Sequence, residues 1–191
     1  VDFFKSHGAR VVNMSWGGDV KGIESQLEQC GIGKTSEARK ALAREYYDIG
    51  RKALTKAFAS APAILFVTAA GNSGDDASFV EDIPASIVLP NLLTVGAVDL
   101  AGDEAGFTSY GPTVKVHANG YQVESYLPGG QRVAMSGTSM AAPQVAGLAA
   151  KLPLEFKTLG HSVHQDFDRI AMDAEAMDDV RLSLRQLGET M

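Results

Sequence analysis

Two short apolar runs with one long amphipathic stretch between them constrain this chain most. Val11 to Ser15 is a compact apolar run closed by Gly17 and Gly18, and Ile64 to Thr68 is a second, closed by Ala-Ala-Gly. Between them, from Ser36 to Ala59, Leu42, Tyr46, Ile49, Ala53 and Ala57 recur at steps of four, three, four and four, which places them on one helix face. Glu37, Arg39, Lys40, Glu45, Arg51 and Lys52 are left for the opposite face. Residues 19–35 read as a loop. Strand, helix, strand is a crossover unit, so the two strands are expected to be parallel, with a right-handed connection. Further strand candidates lie at Leu92–Val98 and Val114–Ala118, and Tyr121–Leu127 reads as a hairpin arm leading to Pro128-Gly129-Gly130. Residues 1–8 read as a helix end stopped by Gly8. Alternation of this kind predicts an α/β three-layer sandwich with a mostly parallel sheet.

Composition sets bounds. A chain of 191 residues with 45% apolar and 21% charged residues can bury one substantial core. A net charge of −6 argues against nucleic acid or an anionic membrane as a partner. No stretch approaches a transmembrane length. The single cysteine, Cys30, has no partner for an internal disulfide and no His at metal spacing. The start, Val1-Asp2-Phe3-Phe4-Lys5, has no signal-peptide layout, and the chain is expected to begin inside a longer protein.

The chemistry concentrates in Met135-Ser136-Gly137-Thr138-Ser139-Met140-Ala141-Ala142-Pro143-Gln144-Val145-Ala146-Gly147. Small and hydroxyl residues lead into an Ala-rich helix start. Ser139 falls in the first turn, where free amides and the positive end of the helix favour negative charge on an attacked carbonyl. The same features also describe a plain capped helix. Asn72, between Gly71 and Ser73, reads locally as a turn residue. Trp16 reads equally as a core or rim aromatic.

Gly-Thr-Ser-Met-Ala-Ala-Pro followed by Val-Ala-Gly resembles the nucleophile motif of the subtilisin-like serine proteases. Val-Val-Asn-Met-Ser-Trp-Gly-Gly at 11–18 and Ala-Ala-Gly-Asn-Ser-Gly at 69–74 resemble two more of that family's motifs, in the family's chain order. The resemblance implies a serine endopeptidase with Ser139 as nucleophile and Asn72 as oxyanion donor beside the Ser139 amide. It implies that Ser15, Trp16 and Gly17 form the strand that binds an extended polypeptide substrate. Ala70 and Gly71 become the wall of the pocket for the residue before the scissile bond. It also implies an exported location, secreted or periplasmic. No cofactor is required; calcium is an expectation of the resemblance alone, and no ligand set matches residue by residue, so the metal assignment is none.

The family's Asp and His motifs do not occur in this sequence. His7-Gly8-Ala9-Arg10 does not match. His117 precedes Ala118-Asn119-Gly120 where the family usually has Ala-Pro-Gly, and Gln144 stands where His is common. The base and its orienting Asp are therefore expected from a missing N-terminal part of the catalytic domain, and this chain alone is expected to be inactive. The alternative is a non-catalytic peptide-binding module or pseudoenzyme.

Residues 1–152 are read as the partial peptidase domain and 153–191 as a helical tail. In the tail Val163, Phe167, Ile170, Ala174, Met177, Val180, Leu184, Leu187 and Met191 form a helical stripe. His161 and His164 near Asp166 and Asp168 read as a solvated face sooner than as a metal site. The tail also shows a weak resemblance to cytochrome c′-type helical bundles, without the Cys-x-x-Cys-His haem attachment.

Overall fold

A computed structural model describes residues 1–77 and 81–151. The tail, with its expected stripe and histidines, lies outside the described residues. Ten elements run in the order α1 (Asp2–Ser6), β1 (Val11–Met14), α2 (Val20–Gln29), α3 (Ser36–Ala59), β2 (Leu65–Ala69), β3 (Leu92–Val98), β4 (Val114–Asn119), β5 (Val123–Tyr126), β6 (Arg132–Met135) and α4 (Thr138–Lys151).

Strands β1-β2-β3-β4 form one sheet in that order, and every pairing is parallel. Val12 lies opposite Phe66, and Val67 opposite Leu93. The expected crossover is present. β5 and β6 form the expected antiparallel hairpin, Val123 opposite Met135.

All five residues of β2 are buried, which explains why the sequence shows an unbroken apolar run there instead of alternation. The period of two reappears once both faces are considered. Leu65, Val67 and Ala69 join Leu93, Val95 and the α4 residues Ala141, Ala142, Val145 and Ala149 in one core. Phe66 turns the other way, with Val12, Met14 and Leu92, onto Tyr47 and Phe58 of α3. The sheet is thus covered on both faces, giving three layers. α4 contributes alanines and a valine to its core, and such small side chains let a helix lie close to the sheet.

Two expectations need correction. Residues 20–29 are a helix, not a loop: the Asp19 side chain accepts from Gly22 N at 2.7 Å and caps α2, which buries Leu27 and packs on α3. The β-region cap and a glycine in the first turn hide this helix from periodicity. The buried stripe of α3 is also displaced by one residue. Ala43, Tyr47 and Phe58 are buried, whereas Tyr46 and Ile49 are exposed, Ile49 by 57%. Gly50 lies on the buried side, where a Cβ would meet Ile83 Cδ1 at 3.5 Å. Alanine and glycine carry little hydrophobic signal, so the stripe that packs most closely is the less visible one.

The α3–β2 connection is fixed by one side chain. Asn91 Nδ2 donates to the carbonyls of Phe58, Ala61 and Ile64 at 3.0–3.1 Å. Phe58 lies in the last turn of α3, and its carbonyl and that of Ala61 also accept from Ala61 N and Ile64 N at 3.0 Å, so Asn91 adds a side-chain donor to the turns that lead from the helix end to β2.

Candidate active site

Three chain segments meet at the carboxyl ends of β1 and β2, where parallel sheets present their sites. The first is the start of α4. Gly137 holds φ +155°, and a Cβ there would lie 3.3 Å from Asn72 Nδ2, so the entry to the helix requires glycine. Ser139 is the second helical residue and is half-buried.

Pro143 has a local consequence. It lies inside α4 and has no N–H for the carbonyl four residues back, which is that of Ser139. That carbonyl instead accepts from Ser15 Oγ at 2.8 Å. Ser139 Oγ donates in return to the Ser15 carbonyl at 3.4 Å, and Asn13 Nδ2 donates to Ser15 Oγ at 2.9 Å. The proline thus frees the acceptor through which the end of β1 is tied to the helix start.

The third segment follows β2. Thr138, fully buried, gives both its amide and its hydroxyl to Asn72 Oδ1, at 2.8 and 3.0 Å. Gly71 N donates to Thr138 Oγ1 at 3.1 Å. A backbone amide can only donate, so the oxygen of the Asn72 side chain must face Thr138. Its NH₂ group is thereby turned away from Thr138, with no acceptor among the described residues. The Ser139 amide belongs to the first turn of α4, whose N–H groups have no carbonyl within the helix. Two donors therefore stand beside the Ser139 hydroxyl.

These residues border a cleft of about 280 Å³ lined by Trp16, Gly17, Gly18, Asp19, Ala69, Gly71, Asn72, Asp82, Thr138 and Ser139. Of the residues singled out in the sequence, Trp16, Gly17, Gly71, Asn72 and Ser139 line it. Trp16 is 50% exposed, a rim aromatic and not a core one. Ser15 is bonded to Ser139 from behind the lining. Ala70 is fully buried, its amide bonded to Val95 O at 2.9 Å, and Ala69 borders the cleft in its place.

Asp82 has no forerunner in the sequence reading. It follows Glu81 in a loop, and nothing in its spacing announces it. Gly18 and Ile83 exchange backbone hydrogen bonds of 3.0 and 2.9 Å, and this bridge brings Asp82 beside Gly17 and Gly18. Burial, with the neighbouring Asp19 charge second, pushes its carboxyl up to about 6, and the Gly18 amide at 3.2 Å offsets this only partly.

No described histidine is bonded to Ser139. His7 stacks on Phe3 with ring centroids 4.1 Å apart and bonds the Phe3 carbonyl through Nδ1. His117 on β4 pairs with Glu104 at 3.3 Å. Among the described residues no group of three or more His, Cys, Asp or Glu is placed to hold a metal ion, and no helix is long and apolar enough to cross a membrane.

Comparison with known proteins identifies the family. A model of the subtilase family matches residues 1–179. Subtilisin DY of Bacillus licheniformis is 37% identical over 129 residues, covering 68% of this chain and 45% of that protein. A thermophilic serine proteinase of Bacillus sp. strain AK1 is 41% identical over 108 residues, covering 55% of this chain and 26% of its own length. The self-cleaved protease domain of PatA superposes with a TM-score of 0.50 at 28% identity, over 78% of this chain and 47% of that one. The chain spans less than half the length of each.

Proposed function

The chain belongs to the subtilase family, and on that premise we propose that it is the nucleophile-bearing part of a subtilisin-type serine endopeptidase. The observation that carries this reading is the Thr138–Asn72 pair of hydrogen bonds, which fixes a donor beside Ser139 at a helix start. Ser139 Oγ would attack the carbonyl carbon of a peptide bond. An Oγ–C bond forms, the carbonyl electron pair moves onto oxygen, and the Ser139 amide with Asn72 Nδ2 receives that charge. The proton from Oγ needs a base. Its partner in this structure is the Ser15 carbonyl, which holds the hydroxyl but is too weakly basic to take the proton. The base and its orienting Asp are to be supplied by residues other than those described. An extended polypeptide is the substrate, laid along Ser15, Trp16 and Gly17 through backbone hydrogen bonds.

That no described histidine is bonded to Ser139 equally favours a second reading, a module that binds peptide without cleaving it. A fluorophosphonate, which modifies serines activated by a base, separates the parts of the proposal. The chain alone is expected to stay unlabelled. It is also expected to bind an acetylated tetrapeptide with a free C-terminal carboxylate, less tightly after Asn72→Ala. Labelling that maps to Ser139 and is lost in Ser139→Ala overturns the missing base. Absence of peptide binding overturns the site itself.

A further inference from the structure

We propose that Asp82 makes this cleft selective for a cationic side chain, lysine or arginine, at the substrate residue immediately before the scissile bond. The inference rests on the reading of Ser139 and Asn72 above and names the substrate class for that site.

Among the described residues the lining of the cleft beside Ser139 has two ionisable groups, Asp19 and Asp82, and both are acids. They are not equivalent. Asp19 is committed to a helix end, since its carboxylate accepts from Gly22 N at 2.7 Å as the cap of α2. Asp82 is not committed in this way. Its Oδ1 accepts one bond, from Gly18 N at 3.2 Å, and Oδ2 accepts none among the described residues. A carboxylate has about four lone-pair sites, so most of its capacity is unused.

The position of the carboxylate follows from the two glycines that wall the cleft. A Cβ on Gly17 would lie 2.8 Å from Asp82 Oδ1, and a Cβ on Gly71 would lie 2.8 Å from Asp82 Oδ2. The carboxylate therefore bridges the walls, one oxygen toward each, and a side chain at either glycine would displace it. Those glycines belong to the two segments that carry the substrate strand and Asn72. A side chain that enters between them, from a carbonyl held at Ser139, meets this carboxylate.

An apolar side chain would bury the acid further without pairing it, which costs free energy. A guanidinium or ammonium group would supply the missing donors in a charge-assisted pair. Among the described residues no Lys or Arg is paired with Asp82, and the neighbouring acid, Glu81, is the one engaged by Arg44 of α3. Burial already holds Asp82 in a state that a cation would relieve.

The test uses the full chain and three acetyl-Ala-Ala-Ala-X peptides with free carboxylates, where X is arginine, citrulline or leucine. Citrulline keeps the shape and the hydrogen-bonding end of arginine but lacks its charge. Equilibrium binding near neutral pH should favour arginine over citrulline by about tenfold, with leucine no tighter than citrulline, as expected for a partly desolvated charge pair. In Asp82→Asn the arginine preference should vanish while citrulline binding is retained. Equal affinity for arginine and citrulline in the unaltered chain overturns the inference and leaves the Ser139 site standing, because the peptides still bind. Tighter binding of leucine overturns it in the same way. Failure of all three to bind overturns both. A persisting arginine preference in folded Asp82→Asn assigns the selectivity elsewhere and overturns the role of Asp82.

Discussion

Replacing Ser15 with alanine should cost more stability while Pro143 is present than after the proline is removed. In the structure the Ser139 carbonyl has lost its helical amide to the proline ring and accepts from Ser15 Oγ at 2.8 Å. Ser15→Ala removes that donor. A net hydrogen bond contributes about 0.5–1.5 kcal/mol, and a partly buried acceptor left unpaired adds to this, so the expected loss is about 1–2 kcal/mol. Pro143→Ala restores an N–H aimed at the same carbonyl and removes the ring's conflict with the helix, which stabilises the chain. In that background Ser15→Ala should cost only about 0.5 kcal/mol, because the carbonyl retains a partner. The coupling is therefore about 1 kcal/mol, well outside the deviation of about 0.3–0.5 kcal/mol expected for independent sites. Urea unfolding of the four proteins, followed by circular dichroism, measures it. Equal costs of Ser15→Ala with and without the proline would refute the view that Pro143 creates the acceptor used by the end of β1.

Asp82 makes a pH prediction with a definite sign. Its folded-state carboxyl titrates at about 6, above the usual 3.8, so the folded chain holds a proton that the unfolded chain has lost between those values. Stability should therefore fall as pH rises through this window, and Asp82→Asn should flatten that part of the profile and stabilise the chain at neutral pH. The charged groups that act on Asp82 are Asp19 from the cap of α2 and the Gly18 amide dipole, and Asp19 reinforces the upward shift. A profile unchanged by the substitution would show that Asp82 is solvated in the folded state. Asn91→Ala removes the donor shared by three carbonyls at a site only 5% exposed, with an expected cost of about 2–4 kcal/mol in thermal or urea unfolding. Asn91→Asp should cost still more, since a carboxylate brings acceptors to acceptors; a milder effect than alanine would count against the role of Nδ2.

Much of the fold is visible in short-range pattern. The run at Ile64–Thr68 is unbroken because β2 lies inside a parallel sheet covered on both faces and all five of its residues are buried, whereas β1, at the sheet edge, leaves Asn13 exposed. The first-turn position of Ser139 follows from the Gly-Thr-Ser lead into an Ala-rich run. α2 escapes detection because its signal is a cap, not a period. The packed face of α3 escapes because Ala43 and Gly50 achieve their contacts by being small. At the site, Ser139, Asn72, Trp16, Gly17 and Gly71 can be named from the motif wording, and the structure brings them to one cleft.

Residues at fixed spacing on one helix or strand share a face by geometry, so the sequence by itself determined the order of the strands and of the long helix α3 between β1 and β2, the βαβ crossover and the stretch that carries the nucleophile. Which face of α3 is buried, which way the Asn72 amide points and what lies at the base of the cleft depend on contacts between residues far apart in the chain. Asn72 is oriented by Thr138, and Asp82 is carried to Gly17 by the Gly18–Ile83 bridge. Those contacts form only when the sheet closes, and no local propensity encodes them. An aspartate with no motif around it becomes a feature of the site because tertiary structure partly withdraws it from water and leaves most of its acceptor capacity unfilled.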